Sequence, residues 1–150
     1  MQKNRRNNVI INAACVNNLF KGESITLFYR NLATRVFLNK DDSIFNNIDE
    51  FPISKGESNY QFEVEARTLT SILSEIGINH IDFISLDVEG YELEVLQGLD
   101  FNKTNVNYIL IETNQKSIIE EYLYQFEFKI IDKLSHHDYL FQRRIRDLNP

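Results

Sequence analysis

The sequence predicts an α/β fold with a mainly parallel sheet, on the basis of three observations. Two apolar runs, IDFISL (81–86) and NYILIET (107–113), are nearly continuous, as is typical of strands covered on both faces, and we expect them to be adjacent, parallel and central among the strands. Segments with helical spacing of apolar residues separate the predicted strands from residue 60 onwards. The last two predicted strands, 126–132 and 138–143, have only KLSHH between them. That link is too short for a helical crossover, so we expect these two strands to be antiparallel.

The first part of the chain predicts three strands and a long loop. NVIINAAC (8–15) is typical of a short buried strand, and ITLFYR (25–30) predicts a second strand. Residues 31–58 contain a proline, a glycine and several Asn, Asp and Ser residues, which indicate irregular structure. A loop of this length usually has a use, such as a lid or a substrate wall. YQFEVEA (60–66) alternates with a period of two, as a half-buried strand does.

The helices are predicted by apolar spacing and by the residues at their ends. Three segments have apolar residues at helical spacing: TLTSILSEIG (68–77), YELEVLQG (91–98) and KSIIEEYLYQF (116–126). Thr68 or Thr70 can cap the first of these helices, and Gly77 can close it. Gly98 is expected to end the second helix.

Composition and charge exclude several classes of protein. A chain of 150 residues is expected to form one domain, 1–150. The net charge of -6 argues against a nucleic-acid binder, which needs a basic face. Cys15 is the only cysteine, which excludes an intramolecular disulfide and a cysteine-rich zinc site. No apolar run approaches the roughly 20 residues of a membrane span, and the N-terminus does not resemble a signal peptide. We therefore expect a cytoplasmic protein without a membrane partner.

A cluster of carboxylates follows the apolar run 81–86. Asp87 is the first residue after this run, and ligands of open α/β sheets bind at the carboxyl ends of the strands. Asp87 and Glu89 are therefore candidates to bind a ligand, to hold a metal or to act as a base. Gly90 allows a tight turn. Glu92 is interpreted as stabilising the start of the next helix, and Glu94 as a solvated side chain.

The segment around these carboxylates resembles a known family. IDFISLDVEGYELEVLQG (81–98) is similar to the signature segment of the FkbM-type methyltransferases, which use S-adenosylmethionine. The flanking features occur in the same order: RTL before a helix, NYILIET as the next strand, and HDYLF near the end. NVIINAAC also resembles the third strand of that family. The resemblance covers about residues 8–142.

The resemblance implies a Rossmann-like methyltransferase sheet of strand order 3-2-1-4-5-7-6, with strand seven antiparallel. It also implies methyl transfer from S-adenosylmethionine to a hydroxyl of a sugar, polyketide or similar small molecule. Asn12, Ala13 and Ala14 match the end of the third strand, where the adenine of the cofactor lies. Asp87 matches the fourth strand tip, near the methionine part of the cofactor and the acceptor. Glu89 becomes the candidate base or acceptor-binding carboxylate.

The chain departs from the family in one respect. The glycine turn of the first strand and the ribose-binding acidic residue of the second are not found, and the first glycine is Gly22. We therefore expect an incomplete sheet that lacks the first two strands, in a chain that is the C-terminal part of the domain. The strand 8–15 then pairs with 81–86, remains at an incomplete edge, or receives its neighbours from a partner. An unpaired apolar edge also favours self-association.

Two other interpretations remain open at this stage. The chain can be a non-catalytic remnant that keeps the scaffold but does not bind the cofactor alone. Asp87 and Glu89 can instead be metal ligands of a hydrolase, although no nearby histidine and no further acidic strand tip is identified to complete such a site. His136, His137 and Asp138 form a further polar run, for which a structural or acceptor-side role is preferred to a metal site. We predict no metal.

Overall fold

The computed structural model describes residues 8–29, 35–36 and 60–144, which form two four-stranded sheets. The N-terminal sheet has the order β1-β4-β2-β3 and contains β1 (Ala14–Cys15), β2 (Ser24–Tyr29), β3 (Arg35–Val36) and β4 (Tyr60–Arg67). The C-terminal sheet has the order β5-β6-β8-β7 and contains β5 (His80–Leu86), β6 (Asn105–Glu112), β7 (Phe128–Lys133) and β8 (Asp138–Arg143). The helices are α1 (Leu69–Glu75), α2 (Glu92–Gln97) and α3 (Lys116–Tyr124). The α/β class is therefore confirmed.

In the N-terminal sheet, β4 pairs antiparallel with β2 and parallel with β1. The predicted strands at 60–66 and 25–30 are confirmed, except that residue 30 lies outside the described residues. The prediction of a strand over 8–15 is wrong for most of its length. Only Ala14 and Cys15 lie opposite β4, and residues 8–10 before them are exposed. The long loop predicted over 31–58 also lies outside the described residues, apart from the two residues of β3.

In the C-terminal sheet, β5 and β6 are parallel, whereas β8 is antiparallel to both β6 and β7. The adjacency of 81–86 and 107–113 and the antiparallel final strands are confirmed. The expectation that β5 is central and covered on both faces is wrong. Among the described residues β6 is its only neighbour, and the side chain of Phe83 is 52% exposed. An apolar run alone does not distinguish a central strand from an edge strand.

The hydrophobic core lies where the C-terminal sheet packs against α2 and α3. Its buried members come from all four strands, from both helices and from the segment between α2 and β6: Leu86, Val95, Leu96, Leu99, Phe101, Val106, Ile109, Ile111, Ile119, Leu123, Phe128, Tyr139 and Phe141. The ring of Phe101 lies 4.6 Å from that of Phe126 and 5.5 Å from that of Phe128, measured between centroids. Such offset and edge-on contacts strengthen packing beyond the buried area alone. This core holds the carboxyl ends of β5 and β6 in place.

The ends of α1 and α2 meet and connect the two sheets. The hydroxyl of Thr70 donates to the carbonyl oxygen of Gly98 over 2.9 Å and accepts from the Asp100 amide over 2.7 Å. At Gly98 the φ angle is −82°, a value open to any residue, so this glycine is not needed for a left-handed turn. A Cβ atom at Gly98 would instead lie 2.1 Å from the carbonyl oxygen of Val16. Gly98 therefore permits the segment after β1 to approach α2 closely.

The predicted ends of α1 are also observed. The Thr68 side chain accepts a hydrogen bond from the Ser71 amide, as an N-cap does. Gly77, two residues after the helix, has a φ angle of +72°, which glycine adopts at little cost. Within the described ranges 8–29, 35–36 and 60–144, no helix is long and apolar enough to cross a membrane.

Candidate active site

Four carboxylates lie at one edge of the C-terminal sheet, and we call them the acidic rim: Asp87, Glu89, Glu112 and Asp138. Asp87 follows β5, and Glu112 is the last residue of β6. Because β5 and β6 are parallel, their carboxyl ends lie at the same end of the sheet. Asp138 begins the antiparallel strand β8 and is the register partner of Glu112, which brings it to the same edge. Sequence reasoning identified Asp87 and Glu89 but missed Glu112.

The neighbouring rim carboxylates change the pKa of Glu112. The negative charge of Asp87 is the largest cause that raises the pKa of Glu112 above its ordinary value, followed by partial desolvation and the charges of Asp138 and Glu89. His137 acts in the opposite direction. The Glu112 side chain is exposed, so solvent screens these interactions. The rim is nevertheless compact enough for its carboxylates to influence one another, which predicts attraction for a cation.

The turn that carries the first two rim residues has an unusual backbone. Glu89 has a φ angle of +55°, and Gly90 one of +98°. The left-handed conformation is uncommon for a residue with a side chain, and such outliers cluster at functional sites. A Cβ atom at Gly90 would meet nothing within 4 Å, so this glycine serves the backbone conformation and not a close contact. Two consecutive left-handed residues turn the chain from β5 into α2 within five residues, 87–91.

Glu92 differs from the rim residues because its side chain is buried, with only 2% exposure. Its Oε1 atom accepts a hydrogen bond from the Gly90 amide over 2.8 Å, and its Oε2 atom lies 3.5 Å from the hydroxyl oxygen of Thr113. The interpretation of Glu92 as a residue that only stabilises a helix start is therefore incomplete. A signal existed in the sequence: Val95 and Leu96 follow at three and four positions, so Glu92 shares their buried face.

Thr113 joins this arrangement from the segment after β6, and sequence reasoning missed it. Its buried hydroxyl accepts from the Gln115 amide over 3.0 Å, and its own amide donates to the His137 carbonyl oxygen over 2.9 Å. The turn after β5, the segment after β6 and the turn before β8 are therefore connected through Glu92 and Thr113. Each of these segments contains or directly adjoins a residue of the acidic rim.

The predicted adenine-side residues belong to the other sheet. Ala14 lies opposite Ala66 in β4, Asn12 is exposed, and Ala13 is partly buried. Asp87 follows β5 in the C-terminal sheet. The placement of Asn12, Ala13 and Ala14 beside a shared ligand with Asp87 therefore stays a prediction.

The two histidines are exposed and lie in the turn before β8. The centroids of the His136 and His137 rings are 6.5 Å apart. The backbone carbonyl of His136 accepts from the Tyr139 hydroxyl, and that of His137 accepts from the Thr113 amide. In the part of the chain that the structure describes, no three His, Cys, Asp or Glu side chains are arranged to hold a metal ion. These hydrogen bonds of both histidines are made through the backbone, and the His137 side chain acts on the rim by lowering the pKa of Glu112.

An α/β protein with polar side chains at the carboxyl ends of adjacent parallel strands has the arrangement of proteins that bind ligands at this edge. The family model described as the Methyltransferase FkbM domain matches residues 1–141. The chain therefore belongs to the FkbM methyltransferase family. Comparisons with the curated proteins and with the solved structures give no match.

Proposed function

We propose that this chain contributes the acceptor-side part of an S-adenosylmethionine-dependent O-methyltransferase that acts on a hydroxyl of a sugar, polyketide or similar small molecule. The observation that carries the proposal is the acidic rim at the carboxyl ends of β5 and β6, in a chain of the FkbM methyltransferase family. Family membership supports methyl transfer. The position and charge of the rim support its use for the sulfonium donor and the acceptor hydroxyl.

The topology of the C-terminal sheet supports a Rossmann-like assignment. Its order β5-β6-β8-β7 corresponds to the segment 4-5-7-6 of the order implied by the family resemblance, with β8 as the antiparallel strand. In the order 3-2-1-4-5-7-6, strand 1 pairs with strand 4, which corresponds to β5. It would lie on the side of β5 that faces away from β6. Among the described residues this edge has no strand, and the Phe83 side chain of β5 is half exposed. We therefore propose that the complete site requires strands beyond β5.

The chemistry needs positioning more than covalent participation by the protein. When bound, the cofactor supplies an activated methyl group on a cationic sulfur. The acidic rim would attract that charge, and one of its carboxylates would accept the proton that the acceptor hydroxyl loses when it is methylated. A general base of this kind contributes about 10²- to 10⁴-fold in rate. Asp87 and Glu89 are candidates for this role, and Glu112 joins them because it ends β6 beside the turn after β5, where the charge of Asp87 raises its pKa.

A direct titration tests whether the chain binds the cofactor alone. The glycine turn and the ribose-binding carboxylate of the family are not found in this sequence. Each lost hydrogen bond costs about 0.5–1.5 kcal/mol, so several together weaken binding by several kcal/mol. Since about 1.4 kcal/mol is tenfold in affinity, we expect a dissociation constant near or above the millimolar range. Isothermal titration of the 150-residue chain measures it, and micromolar binding would contradict the incomplete-site part of the proposal.

The coding sequence that precedes the codon for Met1 distinguishes an enzyme from a non-catalytic scaffold. An in-frame segment with the glycine turn would join the two halves of the site. In a protein that carries both, we expect Asp87→Ala to remove most methyl transfer at saturating cofactor, because Asp87 lies on the rim. Glu94→Ala, in the first turn of α2, is the control and should leave most of the activity. Equal activity of Asp87→Ala and the unmodified protein would reject the rim as the site.

A further inference from the structure

We propose that Glu92 is a positioning residue that, together with Thr113, holds the turn after β5 and the segment after β6 in the relative placement that assembles the acidic rim. This inference rests on the proposed function, because it names the residue that shapes the same site. The sequence alone assigned Glu92 only to the start of α2.

Glu92 is a buried carboxylate beside a turn of unusual backbone conformation. Glu92 is 2% exposed, and burying a carboxylate is unfavourable unless hydrogen bonds compensate it. The contact of Oε1 with the Gly90 amide is only 2.8 Å, within the range of charge-assisted bonds. Its donor belongs to the left-handed pair Glu89 and Gly90. Glu92 therefore stabilises a backbone conformation that would otherwise be disfavoured, and this conformation carries a rim residue.

Glu92 also connects the turn after β5 with the segment after β6. The other carboxylate oxygen of Glu92 faces the buried Thr113 hydroxyl at 3.5 Å, a long and therefore weak contact. Thr113 is fixed independently, because its hydroxyl accepts from the Gln115 amide and its amide donates to His137. Glu112 directly precedes Thr113, so any displacement of Thr113 moves Glu112 relative to Asp87. Helix stabilisation alone would not require these contacts.

The distance between the rim carboxylates has a measurable consequence at Glu112. The groups that act on it are Asp87 and Glu89 from the turn after β5, and Asp138 and His137 from the start of β8. If Glu92 and Thr113 hold these segments together, loosening either contact separates the charges and lowers the pKa of Glu112. This readout uses neither cofactor nor turnover. A failure of methyl transfer would thus leave the positioning role intact, and a failure of positioning would leave methyl transfer to be judged separately.

The experiment is a carboxyl-carbon NMR titration of Glu112 in the complete 150-residue chain, with the resonance assigned from Glu112→Gln. Glu92→Leu removes both acceptor atoms at similar volume, and Thr113→Val removes only the hydroxyl and leaves all charges in place. We expect each to reverse more than half of the upward displacement of the Glu112 pKa. Glu92→Gln and Thr113→Ser retain an acceptor and a hydroxyl and should keep most of that displacement.

A matched control and three contrary outcomes complete the test. Glu94→Leu makes the same chemical change in the same turn of α2 and should leave the Glu112 pKa in place. An unchanged Glu112 pKa in folded Thr113→Val would overturn the proposal, as would an undisplaced pKa in the unmodified chain. An equal fall in Glu92→Gln and Glu92→Leu would mean that the charge of Glu92 acts, not its hydrogen bonds, and would also overturn it. Should Glu92→Leu fail to fold, the two Thr113 variants decide the matter.

Discussion

The two sheets of this protein each contain four strands but bury very different amounts of side chain. In the N-terminal sheet, β4 is central, yet most of its side chains are exposed, including Tyr60 and Phe62. In the C-terminal sheet, β6 and β8 contribute fully buried side chains such as Ile109 and Phe141 to the main core. The acidic rim lies on this second sheet. The packing that stabilises the C-terminal sheet therefore also determines the geometry of the candidate site, whereas the N-terminal sheet contributes mainly through its junction with α2.

Matched phenylalanine substitutions in the two sheets should show the largest difference. Phe141 is 1% exposed in β8, and Phe62 is 37% exposed in β4. We expect Phe141→Ala to lower the free energy of unfolding by about 3–5 kcal/mol, because it leaves a cavity in a packed core. Phe62→Ala should cost much less, since water already reaches that side chain. Urea denaturation of both variants measures the contrast. Equal losses would show that the N-terminal sheet has a core of comparable strength.

The junction between the sheets is tested by a smaller change, Gly98→Ala. At a helical φ angle, replacing glycine by alanine ordinarily stabilises a helix by about 1 kcal/mol. Here the added methyl group would collide with the carbonyl oxygen of Val16. We therefore expect the opposite sign, a loss of about 1–3 kcal/mol from overpacking, in urea denaturation. Gln97→Ala in the same helix turn serves as the control, and a stabilised Gly98→Ala variant would show that the chain after β1 does not pack against α2.

The acidic rim should give the smallest effect, visible in the dependence of stability on pH. The raised pKa of Glu112 means that the folded protein binds this proton more tightly than the unfolded chain. Stability therefore falls as pH rises through the window above the ordinary glutamate pKa. Glu112→Gln should remove that fall and melt at a higher temperature than the unmodified chain at neutral pH, but not at acid pH.

The control for this pH effect is Glu121→Gln, which makes the same change of net charge on the exposed side of α3. The gain in melting temperature of Glu112→Gln over the unmodified chain should be larger at low salt than at about 1 M salt, where the Debye length is only about 3 Å. Salt already screens the rim repulsion that this variant removes. Identical behaviour of the two glutamine variants would indicate a general net-charge effect and not a local one.

Features set by short stretches of chain were determined by the sequence itself. Thr68 and Gly77 mark the ends of α1, because capping and left-handed turns depend on neighbouring residues. The five-residue link 133–137 required antiparallel final strands, since no crossover fits in it. The motif around Asp87 placed a carboxylate at the end of β5, because a polar residue directly after an apolar run marks a strand tip.

Features that depend on contacts distant in sequence were decided only by the tertiary structure. Position 98 requires glycine because the Val16 carbonyl oxygen, distant in sequence, leaves no room for a Cβ atom. Local rules for helix ends suggested a different reason. The edge position of β5 followed from which strands pair with it, and an apolar run carries no information about that. Glu112 joined the rim only when β5, β6 and β8 came together. The burial of Glu92 had a local signal in Val95 and Leu96, but its contact with Thr113 depends on the assembled sheet. The proximity of charges from different strands is likewise encoded by no local pattern.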